Sequence, residues 1–442
     1  MAAAQPIHRV VDLLDSTKNI LFGTAPEAAR EALGRGDPEE IAAIDGHFAI
    51  VARDGVTVRM ARTISRPMRY FLAKREDGPT LVVSDRIDAI HQWLGREGLG
   101  DQFHPSYTRM VPAHYLLELR LVGCPDPNPT CRRFFTPPDE PLAPDVQAIG
   151  ERYVRALYDE ITKWLRMIPE RSPIGVCFSG GIDSGAVFLL TYHAMRSLGM
   201  NPGRLKAFTL AIEGSGDDLR QAREFLQAVD LELFLEPIEV SPNEINVQDT
   251  VAVMEDYHAL DVEAAAVNRA LLRGIRRAYP DWTYLLDGDG GDENLKDYAI
   301  EENPELTIRS VLSNRLLYQE GWGVDTVKHS LTYSGGQSRG YVRCYAPAAE
   351  SGFSTLSPYT APRVIAIAEA IPFVELTDWR HDRLYALKGA VVSRGVRAIA
   401  GIDMPIFDKR RFQRGAMEDN MYSDLFPRHP RAYRSMFHAL YA

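Results

Sequence analysis

Two periodicities divide the chain. Between residues 45 and 120 the apolar residues come in short runs of strand length, at 48–52, 56–60, 70–73, 81–84 and 115–119, with glycine or Asp-Gly turns between them. This part is predicted to be β-rich. Residues 121–146 are rich in Pro, Asp and Cys and read as a linker. From 146 the pattern alternates. Val154, Leu157, Ile161 and Leu165 share one helical face; then come a strand at 175–178, a helix from Ser184, a strand at 206–212, a helix near 218–229, a strand at 231–235, a helical run at 261–276 and a strand at 284–288. Strands alternating with helices predict a doubly wound α/β domain around a parallel sheet. Beyond about 305 the chain reads as mainly helical. The expected organisation is a smaller β-rich domain over 1–120, a linker over 121–146 and the α/β domain over 147–442.

The 442 residues suffice for two or three domains, and 45% hydrophobic with 25% charged residues describe a globular protein. No apolar run approaches the length of about 18 residues that a membrane span requires, and the N-terminus has no apolar core of signal length, so a cytoplasmic protein is expected. The cysteines, Cys124, Cys131, Cys177 and Cys344, are scattered without metal-thiolate spacing. A formal charge of −10 argues against a broad grip on nucleic acid. The strong basic cluster is 408–414.

Chemistry concentrates in two glycine loops. The first is Val176-Cys177-Phe178-Ser179-Gly180-Gly181-Ile182-Asp183-Ser184. A buried strand ends in a turn of small residues and a helix begins. The glycines let a ligand approach the backbone, the hydroxyls of Ser179 and Ser184 can donate, and the helix start offers unpaired N–H groups. That combination cradles an anion, phosphate above all. Asp183 would repel phosphate unless a cation lay between them, which points to a magnesium nucleotide. The Gly-Lys pair of the common phosphate-binding loop is missing. Ser-Gly-Gly-Ile-Asp-Ser resembles instead the Ser-Gly-Gly-x-Asp-Ser loop of ATP pyrophosphatases, enzymes that cut ATP between its α and β phosphates.

The second loop is Leu286-Asp287-Gly288-Asp289-Gly290-Gly291-Asp292-Glu293, again a strand end followed by glycines. Four acids in seven positions repel one another unless a cation sits among them. The calcium-loop spacing with a terminal Glu is lacking. Set beside the first loop on a neighbouring strand end, this one could place Asp292 with Asp183 on a single magnesium–pyrophosphate.

The two loops, the run 208–215, Ser357-Pro358-Tyr359 and 408–412 resemble, in order and spacing, the synthetase domain of class B asparagine synthetases, a group that includes β-lactam synthetases and lasso-peptide cyclases. Residues 44–49, Arg62, Pro67, Tyr70 and 84–89 resemble the second half of that family's glutamine amidohydrolase domain. The amidohydrolase nucleophile would be a cysteine at position 2, where this chain has Ala2, so a degenerate Ntn-type domain that cannot itself use glutamine is expected. The resemblance implies ATP and Mg2+ as cofactors. It implies that Ser179, Gly180, Gly181, Asp183 and Ser184 cradle phosphates, that Cys177, Leu210 and Gly288 meet adenosine, and that Asp183 and Asp292 hold the metal. It also implies Lys409 as the catalytic cation, with Lys388 as a second candidate, and Asp289 as a catalytic acid in the acceptor pocket.

Departures from the family pattern point away from asparagine synthesis. Asp289 stands where Glu or Tyr is usual, Gly291 replaces Ser or Ala, and Ser354 and Leu356 stand in place of Glu and Arg. The expected function is an AMP-forming amide ligase that adenylates a carboxylate and passes it to an amine or ammonia, in specialised biosynthesis. Cyclisation within one substrate, sulfur or nitrogen transfer to tRNA, and a non-catalytic nucleotide-binding relative are the alternatives. Expected partners are small carboxylates and amines. A carrier protein, a peptide substrate, a separate amidotransferase and a homodimer stay open, and neither nucleic acid nor membrane is expected.

Overall fold

The computed structural model describes residues 9–122, 128–212, 217–297, 307–317, 339–408 and 419–442. It divides into two compact units, one taking in the chain up to Thr136 together with Phe437–Ala442, the other running from Pro137 and including 340–436.

In the first unit one sheet orders Arg9–Asp12, Thr80–Ser84, Arg69–Ala73 and Arg109–Met110, and a second orders Thr130–Arg133, Tyr115–Arg120, Thr57–Arg62 and Ala49–Asp54. Strand alternation sends successive side chains to opposite faces. Val58, Met60, Leu117 and Leu119 of one sheet meet Tyr70, Leu81 and Val83 of the other in a shared core. Their neighbours Ile50, Ala61 and Leu116 pack outward on Ala29, Leu33 and Ile41, which belong to two short helices. Phe71 and Val82 pack on Ile90 and Leu94 of the helix Ile87–Arg96. Both sheets are thus covered on both faces, which is why 48–52 reads as continuously apolar rather than alternating. The segment expected as a linker holds a strand, Thr130–Arg133, paired antiparallel with the strand at 115–120. Its Thr-Cys-Arg-Arg sequence gives no apolar signal because it forms the edge of the sheet.

The second unit is built on five parallel strands: β1 Ile174–Cys177, β2 Leu205–Ile212, β3 Leu235–Val240, β4 Tyr284–Leu286 and β5 Ser354–Leu356, in the spatial order β3-β2-β1-β4-β5. This is the mixed α/β, parallel-sheet architecture expected. Its helices include α1 Val146–Met167, α2 Ile182–Ser197, α3 Asp217–Ala228, α4 Ala259–Ala278, α5 Gly291–Asn294, α6 Arg339–Glu350 and α7 Leu384–Ala400. Among the described residues no helix is long and apolar enough to cross a membrane.

Three expectations are corrected here. The segment 231–235 is not a strand but a 3-10 turn, Glu232–Phe234, leading into β3. β3 contains Pro237, which masks the strand in the sequence, and tolerates it by lying at the sheet edge. α2 starts at Ile182 rather than Ser184, because Gly181 is the extended capping residue, and this brings Asp183 into the first helical turn. β5 lies in a region read as helical; three residues long, it is recognisable only by its pairing with β4.

Candidate functional site

The chain leaves β1 towards β2 on one side, while β4 joins β1 on the other. Such a reversal of strand order opens a crevice at the carboxyl ends of the two strands. Both glycine loops emerge there, one after Cys177 and the other after Leu286.

In the first loop, the Ser184 hydroxyl accepts from the Ser179 N–H at 3.2 Å and lies 3.1 Å from the Ser179 hydroxyl. The Ser179 hydroxyl also accepts from the Gly181 N–H at 3.4 Å. Gly180 takes φ +74° and presses on α3, where a Cβ would stand 2.8 Å from Ala222 N. Glycine alone fits both demands. Gly181 caps α2 without any side-chain hydrogen bond, so the dipole end and N–H groups of the first turn face the crevice uncapped by that residue.

In the second loop, Asp287 faces inward and accepts from the Asp289 N–H at 3.0 Å and from the Ser357 hydroxyl at 2.6 Å. The loops touch at the backbone, since a Cβ on Gly288 would lie 2.8 Å from Ser184 N. Gly290, at φ 98°, turns the chain into α5, which carries Asp292 and Glu293. Tyr359, just after β5, donates to the Asp183 carbonyl at 3.1 Å. Asn294 donates to the Tyr359 carbonyl at 2.9 Å and to the Tyr153 hydroxyl at 3.3 Å.

Two cations from later helices complete the arrangement. Lys388 of α7 is buried, with Nζ 2.6 Å from Asp183 Oδ2, in contact with Asp292 Oδ1 and 3.9 Å from Asp297 Oδ2. Burial alone would lower its pKa, but the three carboxylates outweigh burial and hold it well above the ordinary lysine value, so it is an ammonium throughout the neutral range. Its helix is fixed by close backbone packing on α1, where Gly150 and Gly395 leave no room for a side chain. Arg343 of α6 donates from Nη2 to Asp289 Oδ1 at 2.9 Å and to Glu293 Oε1 at 3.0 Å. Burial pushes both carboxyls up to about 7. Asp287 and Asp261 add to the rise at Asp289, Asp289 and Asp292 add to it at Glu293, and the guanidinium opposes both. The thiols of Cys177 and Cys344 are pushed far up by burial and by Asp287, which removes them as nucleophiles.

The structure therefore gathers Cys177, Ser179, Gly180, Gly181, Asp183, Ser184, Gly288, Asp289 and Asp292 around one crevice. Leu210 is buried in β2, two residues beyond the Phe208 that pairs with Cys177 at the end of β1. Lys409 lies outside the described residues. The chain just before it is tied to α7, where Tyr385 donates to the Phe407 carbonyl. Arg343 had no signal in the sequence. Lys388 had one: it is a lone lysine among Leu384, Leu387, Val391 and Val392 on the buried face of an apolar helix.

Asp183 and Asp292 converge on one cationic centre beside an anion cradle, which suits a magnesium ion shared with phosphate oxygens. Among the described residues no group of three or more His, Cys, Asp or Glu that could hold a metal ion is found. No curated protein matches the chain significantly. The family model described as asparagine synthase matches residues 165–337, the segment that contains both glycine loops. Members of that family are ATP-dependent amide-bond ligases. This match over part of the chain supports an asparagine synthetase-like family member.

Proposed function

We propose that the chain is an AMP- and pyrophosphate-forming ligase that adenylates a carboxylate and transfers the acyl group to an amine or ammonia. The observation that carries this reading is the meeting, at one switch point, of an uncapped helix start with a carboxylate pair and a buried ammonium. A substrate carboxylate oxygen attacks the α-phosphorus of ATP, the bond from that phosphorus to the α–β bridging oxygen breaks, and pyrophosphate leaves. The amine nitrogen then attacks the acyl carbon of the adenylate, loses a proton, and AMP departs with the electron pair of the broken C–O bond.

The N–H groups and hydroxyls of Ser179, Gly180, Gly181 and Ser184 hold the pyrophosphate, and they do so without reorganising as its charge grows. Magnesium, held by Asp183 and Asp292 with phosphate oxygens, would draw charge from the leaving group. Lys388 adds a positive charge that burial protects from screening. Cys177, Leu210 and Gly288 line the adenosine side. Asp289, with a carboxyl that titrates near neutrality, is suited to take the proton from the attacking amine. Lys409 is assigned to the acyl-phosphate charge by the same reading. Ring closure within a single substrate would use identical steps.

ATP–pyrophosphate exchange with a panel of amino acids and other carboxylic acids tests the proposal. Exchange that depends on one acid and disappears in Asp183→Ala is the expected result. No exchange with any acid, together with no magnesium-ATP binding by calorimetry, would overturn it.

A further inference from the structure

We infer that Lys388 is a resident cation of the Asp183–Asp292 pair, standing where a divalent metal would bind, so that metal enters this site only together with nucleotide. The inference rests on the reading of that pair as metal ligands. Nζ of Lys388 is 2.6 Å from Asp183 Oδ2 and also touches Asp292 Oδ1, and its side chain is only 3% exposed. It projects from a helix whose backbone is seated on α1 through Gly150 and Gly395, so its place is set by packing and not by a loop.

Gly291 gives the arrangement room. A methyl group there would run into the Asp183 carboxylate as it stands, so a larger residue would require Asp183 to move from this position over α5. This gives a physical reason for glycine at a position where the resembling enzymes carry Ser or Ala.

A divalent ion and an ammonium cannot share the same two carboxylate oxygens, because their repulsion in a buried setting is large. Metal bound through those oxygens displaces Lys388 from Asp183 Oδ2 and Asp292 Oδ1, and the ammonium then needs another anion. Asp297, at 3.9 Å, is too weak a partner to replace both. A triphosphate seated at the start of α2 brings the required charge to the crevice, because Asp183 itself belongs to that first turn. Metal and Lys388 then exchange partners in one event: the carboxylates pass from ammonium to metal, and the ammonium passes from carboxylates to phosphate.

The experiment is a Mn2+ titration of the full chain, followed by the electron paramagnetic resonance signal of free Mn2+ and by thermal melting. It is run with and without a non-hydrolysable ATP analogue, on wild type and Lys388→Met. The expected result is that wild type takes up Mn2+ only with the analogue present. Lys388→Met should bind Mn2+ alone, roughly tenfold or more tightly than wild type does, and should be stabilised by it. Tight Mn2+ binding by nucleotide-free wild type would overturn the inference while leaving the ligase reading intact, and this arm needs no variant. Uptake by both proteins only with analogue would also overturn it, since Lys388 would then not be what excludes the metal. No uptake by wild type under any condition would overturn the assignment of the carboxylate pair as metal ligands, and the inference with it.

Discussion

The two glycine loops share a plan and differ in charge. Each follows a parallel strand, turns on a glycine with positive φ, and enters a helix. In the first, only Asp183 draws on a distant cation, Lys388. The hydroxyls and N–H groups of Ser179, Gly181 and Ser184 bond one another, and the helix start carries a positive field of its own. The second cannot stand alone. Asp287, Asp289, Asp292 and Glu293 lie within seven positions; Asp292 is met by Lys388, and Asp289 and Glu293 by Arg343, cations from two helices much later in the chain. An anion site made from backbone is a local property; a carboxylate site is a tertiary one. The glycines differ in the same sense. Gly180 is demanded by its own backbone conformation and by the approach of α3, whereas Gly291 makes room for a carboxylate from the other loop.

This difference sets which loop is the more fragile. Among the described residues Lys388 is the buried cation shared by Asp183 and Asp292, and Lys388→Met removes it. Breaking a buried ion pair from one side costs about 3–5 kcal/mol, and the partial exposure of Asp292 places the expected loss near the lower limit, about 3 kcal/mol in metal-free urea unfolding. Adding Asp183→Asn and Asp292→Asn to that variant should recover a substantial part of the loss. A triple variant no more stable than the single one would mean that Lys388 acts through packing and not through charge.

The same contrast explains what was legible in the sequence. The doubly wound sheet and the first loop were readable because strand, small-residue turn and helix are contiguous, and each leaves a local pattern. The acids of the second loop were equally visible. Their cations were not: nothing adjacent to Arg343 marks it, and Lys388 is distinguished only by interrupting an apolar face. β5 and Thr130–Arg133 were missed because a strand of three or four residues at a sheet edge carries no periodicity of its own. β3 was misplaced because Pro237 argues against a strand, while the apolar 231–235 argues for one.

A smaller effect probes the first loop. Gly180→Ala forces a side chain into a left-handed backbone position and against the backbone of α3. Strain of this kind costs about 1–3 kcal/mol. The urea midpoint should fall accordingly, and the loss should not depend on pH between about 5 and about 8, because no titrating group of the second loop is touched. A loss that changed with pH over this range would show that the loops are coupled through charge more tightly than their backbone contact implies.

The smallest expected effect concerns the sign of the pH dependence in the second loop. Asp289 and Glu293 titrate near their ordinary values of 3.8 and 4.5 in the unfolded chain, whereas burial raises both to about 7 in the folded one. Over that interval the folded state holds more protons than the unfolded state. The contribution of the pair is therefore fully present below about pH 4 and is lost as pH rises through about 7. Most carboxylates in ion pairs behave in the opposite sense. Lys388, whose raised pKa keeps its contribution intact until well above neutrality, adds no slope in this window. Glu293→Gln should therefore flatten the fall in stability between about pH 5 and about pH 7, by less than the ~1.4 kcal/mol per pH unit that one fully shifted group can supply. Arg343→Gln should steepen it, because the guanidinium is what opposes proton uptake by both acids. If urea midpoints of wild type relative to Glu293→Gln rose with pH in this window, Arg343 would be stabilising two ionised carboxylates outright, and Asp289 would lack the near-neutral titration that fits it to receive a proton.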